Sequence, residues 1–182
     1  YLEYHFLSGY CILTLVLFRI FWGFFGSSTA LFRSFVKTPR IAFMFLRQLR
    51  RGTAPSYTTH NPAGGYMVVT LLVVILFQTV TGLFSDDQIF NAGPLRDFVP
   101  AETAGLLTDW HQINYDILLF LIVIHVLAVF WHEWFLGERL VLSMITGRKD
   151  KTKGSEQLCF APYSRLLIAL ILSIVISFSN NF

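Results

Sequence analysis

The sequence predicts an all-α fold, an integral membrane helical bundle of four transmembrane helices plus a short interfacial helix. Hydrophobic residues make up 54% of the 182-residue chain and charged residues only 14%, whereas soluble domains carry about a quarter. Apolar segments recur at the length needed to cross a bilayer, and the loops between them alternate between basic and acidic. The net charge of +3 is too small to suggest nucleic acid as a partner.

The elements follow from the apolar segments, which lie near residues 5–25, 62–84, 109–135 and 163–179. Each is close to the ~20 residues that a helix needs to span the membrane, and the last is the shortest. The second begins with Asn61 as N-cap and Pro62 at the first helical position. Residues 41–51 mix apolar residues with arginines, which predicts a short helix along the membrane surface and, at the simplest, a plain anchor.

The loop charges predict the orientation of the bundle. Residues 26–60 carry six basic residues and no acidic one, and residues 136–162 are basic again. Residues 85–108 carry four acidic residues against the single Arg96. Because positively charged loops stay in the cytoplasm, residues 26–60 and 136–162 are predicted to be cytoplasmic and residues 85–108 external.

Two histidines of the third segment indicate a function. His111 and His125 lie fourteen residues apart, which on a helix is about 40° short of four full turns, so both rings face the same side. The rise between them is roughly 21 Å, most of the way across a hydrocarbon core of about 30 Å. Ionisable side chains are expensive inside a bilayer and usually functional. Two imidazoles so placed suit two b-type haems, one near each membrane surface.

His5 opens the first segment at the same external depth as His111. The two could therefore supply both axial ligands of one outer haem, although each could instead be an interfacial histidine that stabilises a helix end. Gly9 follows His5 by one turn on the same helix face. A glycine there removes side-chain bulk and would let a flat macrocycle approach the backbone.

The cytoplasmic side has no such clear pair. His60 is the candidate partner of His125, but it precedes the second helix and lies several residues shallower. Contact with a haem propionate or a quinone, or support of the turn, stays open for it. Arg19 shares the face of His5 and could pair with propionates of an inner haem or reach to the surface. His132 falls in an aromatic belt at the cytoplasmic interface.

Other metal chemistries fit the sequence less well. Closed zinc sites use His-x-x-x-His or Cys-x-x-Cys spacing, and di-iron bundles use Glu-x-x-His; the apolar segments contain none of these. Cys11 and Cys159 form no Cys-x-x-Cys-His, so covalent c-type haem attachment is excluded. Haem b needs only single imidazoles on opposing helices, and it is therefore the favoured cofactor.

Several motifs follow one another in a fixed order along the chain. They are His5-x-x-x-Gly9, Arg19-Ile20-Phe21-Trp22-Gly23-Phe24, His60-Asn61-Pro62-Ala63-Gly64-Gly65, Thr81-Gly82-Leu83-Phe84, the His111/His125 pair and Met144-Ile145-Thr146-Gly147-Arg148-Lys149. In this ordered set, from about residue 2 to residue 149, the chain resembles the bacterial cytochrome b561 and nickel-hydrogenase b-type cytochrome family.

The resemblance implies a di-haem protein of the bacterial inner (plasma) membrane. Residues 1–149 would form the haem-binding cytochrome b domain, 150–162 a cytoplasmic linker and 163–182 a C-terminal transmembrane helix. His5, His111 and His125 carry over as haem ligands.

The fourth ligand belongs to an earlier helix of the family that has no counterpart in this sequence. Two haems b are therefore expected from the resemblance, and one is supported by ligands within the chain. The second haem would need a helix preceding Tyr1, which we expect as the simplest explanation, or His60, or it would not be bound.

The function implied is electron transfer across the membrane, in a respiratory chain, between the quinone pool and a redox partner such as a c-type cytochrome or a hydrogenase. Whether the chain is itself part of a quinol or quinone oxidoreductase stays open, as does an oligomeric state. His60, Asn61 and Asp116 are candidate quinone contacts. The alternative is a membrane anchor or adaptor that docks a soluble oxidoreductase or c-type cytochrome with one haem or none, helped by the acidic external loop.

Overall fold

The computed structural model describes residues 2–55, 57, 60–87, 91–135, 137, 141–142, 146 and 159–178. Within these residues the chain forms helices α1 (Leu2–Phe25), α2 (Phe32–Phe35), α3 (Pro39–Arg50), α4 (Pro62–Phe84), α5 (Ala101–Phe135) and α6 (Tyr163–Phe178). A 3-10 turn at Arg96–Phe98 lies in the loop between α4 and α5. The protein is thus all-helical in the part described, as predicted.

Three of these helices are long and apolar enough to cross a membrane: α1 with 24 residues, α4 with 23 and α5 with 35. The apolar helix α6 has 16 residues, a rise of roughly 24 Å against a hydrocarbon core of about 30 Å. The prediction of an all-α membrane bundle is confirmed, with three helices of spanning length and a shorter fourth.

Helix α5 begins earlier than predicted. The sequence pattern placed residues 101–108 in the external loop, but they form the first two turns of α5. The carbonyl of Pro100 accepts the first helical hydrogen bond, from the amide of Ala104 at 3.0 Å, and Glu102 in the first turn suits the positive end of the helix dipole. Because these turns are polar, they fell outside the apolar segment, and the predicted loop 85–108 was too long.

Helix α4 is the centre of the bundle and packs against α1, α3 and α5. Helix α6 packs on α1, where its buried residues Ala169, Ser173 and Ser177 are small. Small side chains let membrane helices approach closely. The hydroxyl of Ser173 donates to the carbonyl of Ala169 at 2.6 Å, so this polar group is satisfied within its own helix.

The short helix α3 is amphipathic, as the mixture of apolar residues and arginines predicted. Ala42 and Phe45 are buried, and the helix packs against α4. Phe43 on the same helix is 71% exposed, and its last turn carries Arg47 and Arg50. Apolar side chains left uncovered beside arginines suit a helix in the membrane interface.

The segments that flank the helices meet at the two ends of the bundle. After α1, the amide of Ser28 donates to the carbonyl of Cys159 at 3.0 Å, and the amide of Ala161 donates to Ser27 Oγ at 3.1 Å. Residues of the first and third predicted cytoplasmic loops therefore lie at one end. At the other end, Arg96 Nε donates to Asp86 Oδ2 at 2.6 Å within the loop 85–100.

Candidate functional site

A cavity of about 240 Å³ lies between α1, α4 and α5, at the end of the bundle that carries the loop 85–100. Its walls include His5, Gly9, Gln78, Gly82, Pro94 and His111. Most of its remaining lining is aliphatic or aromatic, so the histidines face a largely apolar space. Pro94 brings the loop 85–100 over the cavity.

His5 on α1 and His111 on α5 meet across this cavity. Their ring centroids are 6.2 Å apart and their planes are inclined by 85°. A metal–imidazole bond is about 2 Å long and the ring centroid lies about 1 Å behind the bonded nitrogen, so two imidazoles on opposite sides of one metal ion have centroids about 6 Å apart. The separation of the two rings therefore fits His5 and His111 as the residues that would hold a haem iron.

The ring of His111 is oriented by α4. Its Nδ1 lies 2.9 Å from the carbonyl oxygen of Gln78 and 3.2 Å from Thr81 Oγ1. Because a carbonyl oxygen can only accept, Nδ1 carries the proton and Nε2 keeps its lone pair. This is the tautomer that binds a metal through Nε2, with the other nitrogen anchored to the backbone.

A pair of amide side chains supports His111 further. Gln78 Nε2 lies 3.2 Å from His111 Nε2 and donates to the His111 carbonyl oxygen at 3.1 Å. Gln78 Oε1 accepts from Asn114 Nδ2 at 2.6 Å, and the same Asn114 amide donates to the Val74 carbonyl at 3.0 Å. Asn114 is only 5% exposed. Binding of iron at His111 Nε2 would replace its contact with the Gln78 amide.

Sequence reasoning missed Gln78, Thr81 and Asn114 as site residues. A signal was present, because Gln78 is the one amide side chain in the α4 sequence and Asn114 follows His111 by three residues. Residues three apart share a helix face. A polar residue inside an apolar helix, in phase with a candidate ligand, is the pattern that would have found them.

Two glycines shape the walls of the cavity differently. A Cβ atom placed on Gly82 would lie 2.9 Å from His111 Cε1, so only glycine lets the imidazole rest against α4 in this position. A Cβ atom on Gly9 would meet no atom within 4 Å. Gly9 thus borders open space on the cavity side of α1, where the sequence predicted the approach of a macrocycle.

Arg19 and His60 share an aromatic neighbour at the opposite end of the bundle. The guanidinium carbon of Arg19 lies 5.1 Å from the ring centroid of Phe32 and 5.8 Å from that of Phe35, within the range of a cation–π contact. Its Nη1 donates to the carbonyl of Ala30 at 3.2 Å. The ring of His60 lies 4.9 Å from that of Phe35, which places both predicted residues in one cluster.

Asn61 is the N-cap of α4, as the sequence predicted. Its Oδ1 accepts from the amide of Gly64 at 2.7 Å, and Pro62 follows at the start of the helix. The cap fixes the direction in which the chain enters α4. The side-chain oxygen of Asn61 is therefore engaged by the backbone.

His125 is half-buried on α5 and lies fourteen residues beyond His111, a rise of roughly 21 Å along the helix. Within the described part of the chain its side chain has no hydrogen-bond or ring partner, so the structure does not bring His60 to it. Asp116 is exposed on the same helix. Two imidazoles, those of His5 and His111, thus meet at the end of the bundle that carries the loop 85–100, whereas His125 and His60 are not brought together.

Comparison with known proteins identifies the family of the chain. The chain matched no curated protein and no solved structure. A family model described as prokaryotic cytochrome b561 matches residues 1–147, most of the chain and all of the helices that line the cavity. The ordered histidines, the apolar spans and this match give the conclusion that the chain belongs to the prokaryotic cytochrome b561 family, a membrane b-type cytochrome of bacterial electron transfer.

Proposed function

We propose that this cytochrome binds a haem b between His5 and His111 and uses it, together with a second haem at His125, to carry electrons across the bilayer between the quinone pool and a redox partner. The observation that supports this most strongly is the 6.2 Å separation of the two rings, across a cavity between helices. The bound haem would supply one-electron chemistry, and the two imidazoles that would hold it, His5 and His111, would help to set its potential.

The residues of this chain would prepare that site in three ways. The Gln78 carbonyl and Thr81 hydroxyl hold His111 in the tautomer that has a free lone pair on Nε2. The Asn114 amide anchors the Gln78 side chain through a 2.6 Å hydrogen bond. The apolar lining excludes water, which keeps the local dielectric low and the potential sensitive to these hydrogen bonds.

A second haem would use His125 on the cytoplasmic side. We propose His125 as its ligand from this sequence, since His60 lies against Phe35, with ring centroids 4.9 Å apart. Arg19 lies at the same end and could hold propionates. We propose quinone contacts at His60 and Asn61, where polar groups border the start of α4, and at Asp116, which lies on α5 five residues beyond His111.

The proposed location is the bacterial inner membrane, with the α2–α3 region and residues 136–162 in the cytoplasm and the loop 85–100 in the periplasm. The basic character of the first loop supports this under the positive-inside rule. The hydrogen bonds of Ser27 and Ser28 to the segment before α6 support a common side for the two basic loops. A periplasmic c-type cytochrome or a hydrogenase-like enzyme would then be the redox partner.

The test is haem quantification by reduced pyridine haemochrome spectra on the purified protein and three variants. His5→Ala and His111→Ala should each remove one haem per chain, since a single imidazole is left at the outer site. His132→Ala, in the aromatic belt, is the matched control and should leave the haem content unchanged. A His111→Ala protein with full haem content would exclude the proposed site.

The isolated position of His125 favours a second candidate function, that of a docking subunit. A chain that binds a single haem at the external end would anchor a soluble oxidoreductase or c-type cytochrome and pass electrons at that surface only. One haem per chain in the full protein, unaffected by His125→Ala, would support this function. Two haems, one of them lost in His125→Ala, would support the transmembrane path instead.

A further inference from the structure

A second cavity, of about 540 Å³, lies between α1, α2 and α4 on the cytoplasmic side of the bundle. Its lining includes Ile20, Phe24, Arg33, Val69, Val73 and Leu76. Among the described residues that line it, Arg33 is the only polar one. It shares no lining residue with the cavity of His5 and His111.

This second cavity is a groove that runs along the helices. Ile20 and Phe24 are one turn apart on α1, and Val69, Val73 and Leu76 follow at helical spacing on α4. The rise from Val69 to Leu76 is roughly 10 Å. Two aligned apolar walls of this length leave room for an extended hydrocarbon chain that lies parallel to the helix axes.

The polar end of the groove carries uncompensated positive charge. Arg33 is exposed, and within the described residues its side chain makes no hydrogen bond or ion pair. Residues 26–60 contain no acidic side chain, while Lys37 and Arg40 follow Arg33 closely. An anion is the complementary partner for such a site.

We propose that this groove binds one acyl chain of an anionic phospholipid whose phosphate is held by Arg33. A hydrocarbon tail would match the apolar walls of the groove, and an anionic headgroup would match Arg33 at its end. A ligand of this groove therefore carries both properties in one molecule. Basic pockets between transmembrane helices on the cytoplasmic side suit such lipids. Arg33 lies in the short helix α2 that follows α1, at the level where lipid headgroups are expected. The groove extends from it toward the membrane interior.

The lipid would stabilise the arrangement on which the redox site depends. Phe32, Arg33 and Val36 from the α2 region all border the groove, and Phe32 also contacts the Arg19 guanidinium. A bound chain would fill the space between α1 and α4. It would thereby hold together the two helices that contribute His5 and the support of His111.

The test uses the purified haem-loaded protein, delipidated in detergent, and native mass spectrometry with dioleoyl phosphatidylglycerol or dioleoyl phosphatidylcholine. One phosphatidylglycerol should be retained in preference to phosphatidylcholine. Arg33→Gln should weaken that retention about fivefold, the effect of one basic residue near an anionic headgroup. Arg33→Lys should keep most of it. Arg47→Gln removes the same charge from the exposed face of α3 and is the matched control.

Two further arms make the outcome decisive. Val73→Phe should reduce retention of both lipids, because it fills the apolar wall without changing charge. Equal retention of the two lipids, or equal loss in Arg33→Gln and Arg47→Gln, would overturn the proposal. Displacement of phosphatidylglycerol by a prenyl quinone, with no dependence on Arg33, would assign the groove to quinone and also overturn it. The haem content of each variant is measured separately, and it shows whether the variant is folded regardless of how much lipid it retains.

Discussion

At the scale of single residues, the polar side chains of α4 and α5 form one hydrogen-bonded chain from Asn114 through Gln78 to His111. Each of these groups would be costly if left unpaired in an apolar bundle. Together they are satisfied, and their joint effect is to hold one imidazole in one orientation. The site is therefore organised before any cofactor is bound.

Gly82→Ala should disrupt this orientation. The added methyl group would lie 2.9 Å from His111 Cε1, and overpacking of this kind costs about 1–3 kcal/mol. If that cost falls on the bound form, haem affinity should drop roughly tenfold. Haem titration of the apoprotein, followed by the Soret band, measures it.

Gly9→Ala provides a matched comparison for Gly82→Ala. The same methyl group at Gly9 meets nothing within 4 Å, so the thermal stability of the apoprotein should not fall. If a macrocycle approaches α1 at Gly9, haem affinity should still decrease. Unchanged haem binding in this variant would show that the macrocycle lies elsewhere in the cavity.

The proximity of the His5 and His111 rings could be predicted, because each histidine lies at the start of an apolar segment at the same depth. The partners of the other polar residues could not. Gln78 meets His111 only because α4 and α5 have a particular relative rotation, which hydrophobic periodicity does not fix. Arg19 donates to Ala30, a backbone carbonyl in a turn whose path has no sequence signal.

At the scale of elements, the start of α4 shows how local chemistry defines a helix. Asn61 caps the first turn, Pro62 supplies a helix-compatible backbone, and the helix ends at Phe84 as the apolar pattern predicts. Helix α5 shows the converse. Its first two turns are polar and amphipathic, so a search for apolar segments could not find their helical character.

Substitutions of Asn61 can separate its structural role as N-cap from a direct contact with quinone. Asn61→Ala should lower the free energy of unfolding by about 1 kcal/mol through loss of the cap, whereas Asn61→Ser should retain nearly all of it. Thermal unfolding in detergent measures this difference. If both variants lose quinol oxidation to the same extent, Asn61 contacts the quinone directly. If only the destabilised Asn61→Ala variant loses it, the role of Asn61 is that of the cap alone.

At the scale of the whole molecule, the loop 85–100 covers one end of the cavity that contains His5 and His111. Pro94 lines the cavity, Arg96 pairs with Asp86 at 2.6 Å, and the amide of Asp86 donates to Thr108 Oγ1 at 2.9 Å. The side chains of the ion pair are only 23% and 19% exposed. The loop is therefore tied both to itself and to the first turns of α5.

Arg96→Met should loosen this cover without changing any histidine. Haem loss to an excess of apomyoglobin should become a few times faster, since an ion pair near the surface contributes up to about 1 kcal/mol. Asp97→Asn, an exposed neighbour that does not pair with Arg96, is the control. Identical rates in Arg96→Met and the unmodified protein would mean that the loop does not limit cofactor release.

The position of α6 against α1 has a consequence for biosynthesis. The two helices stand at opposite ends of the sequence, and Tyr10 of α1 stacks on Phe178 of α6 with centroids 5.4 Å apart. Contacts between such distant segments form only after α6 has been synthesised. Until then α1 lacks its packing against α6, so the helix that carries His5 gains this support late in folding. A nascent chain that stops before residue 159 would already hold both histidines, but with α1 still free to shift in the lipid.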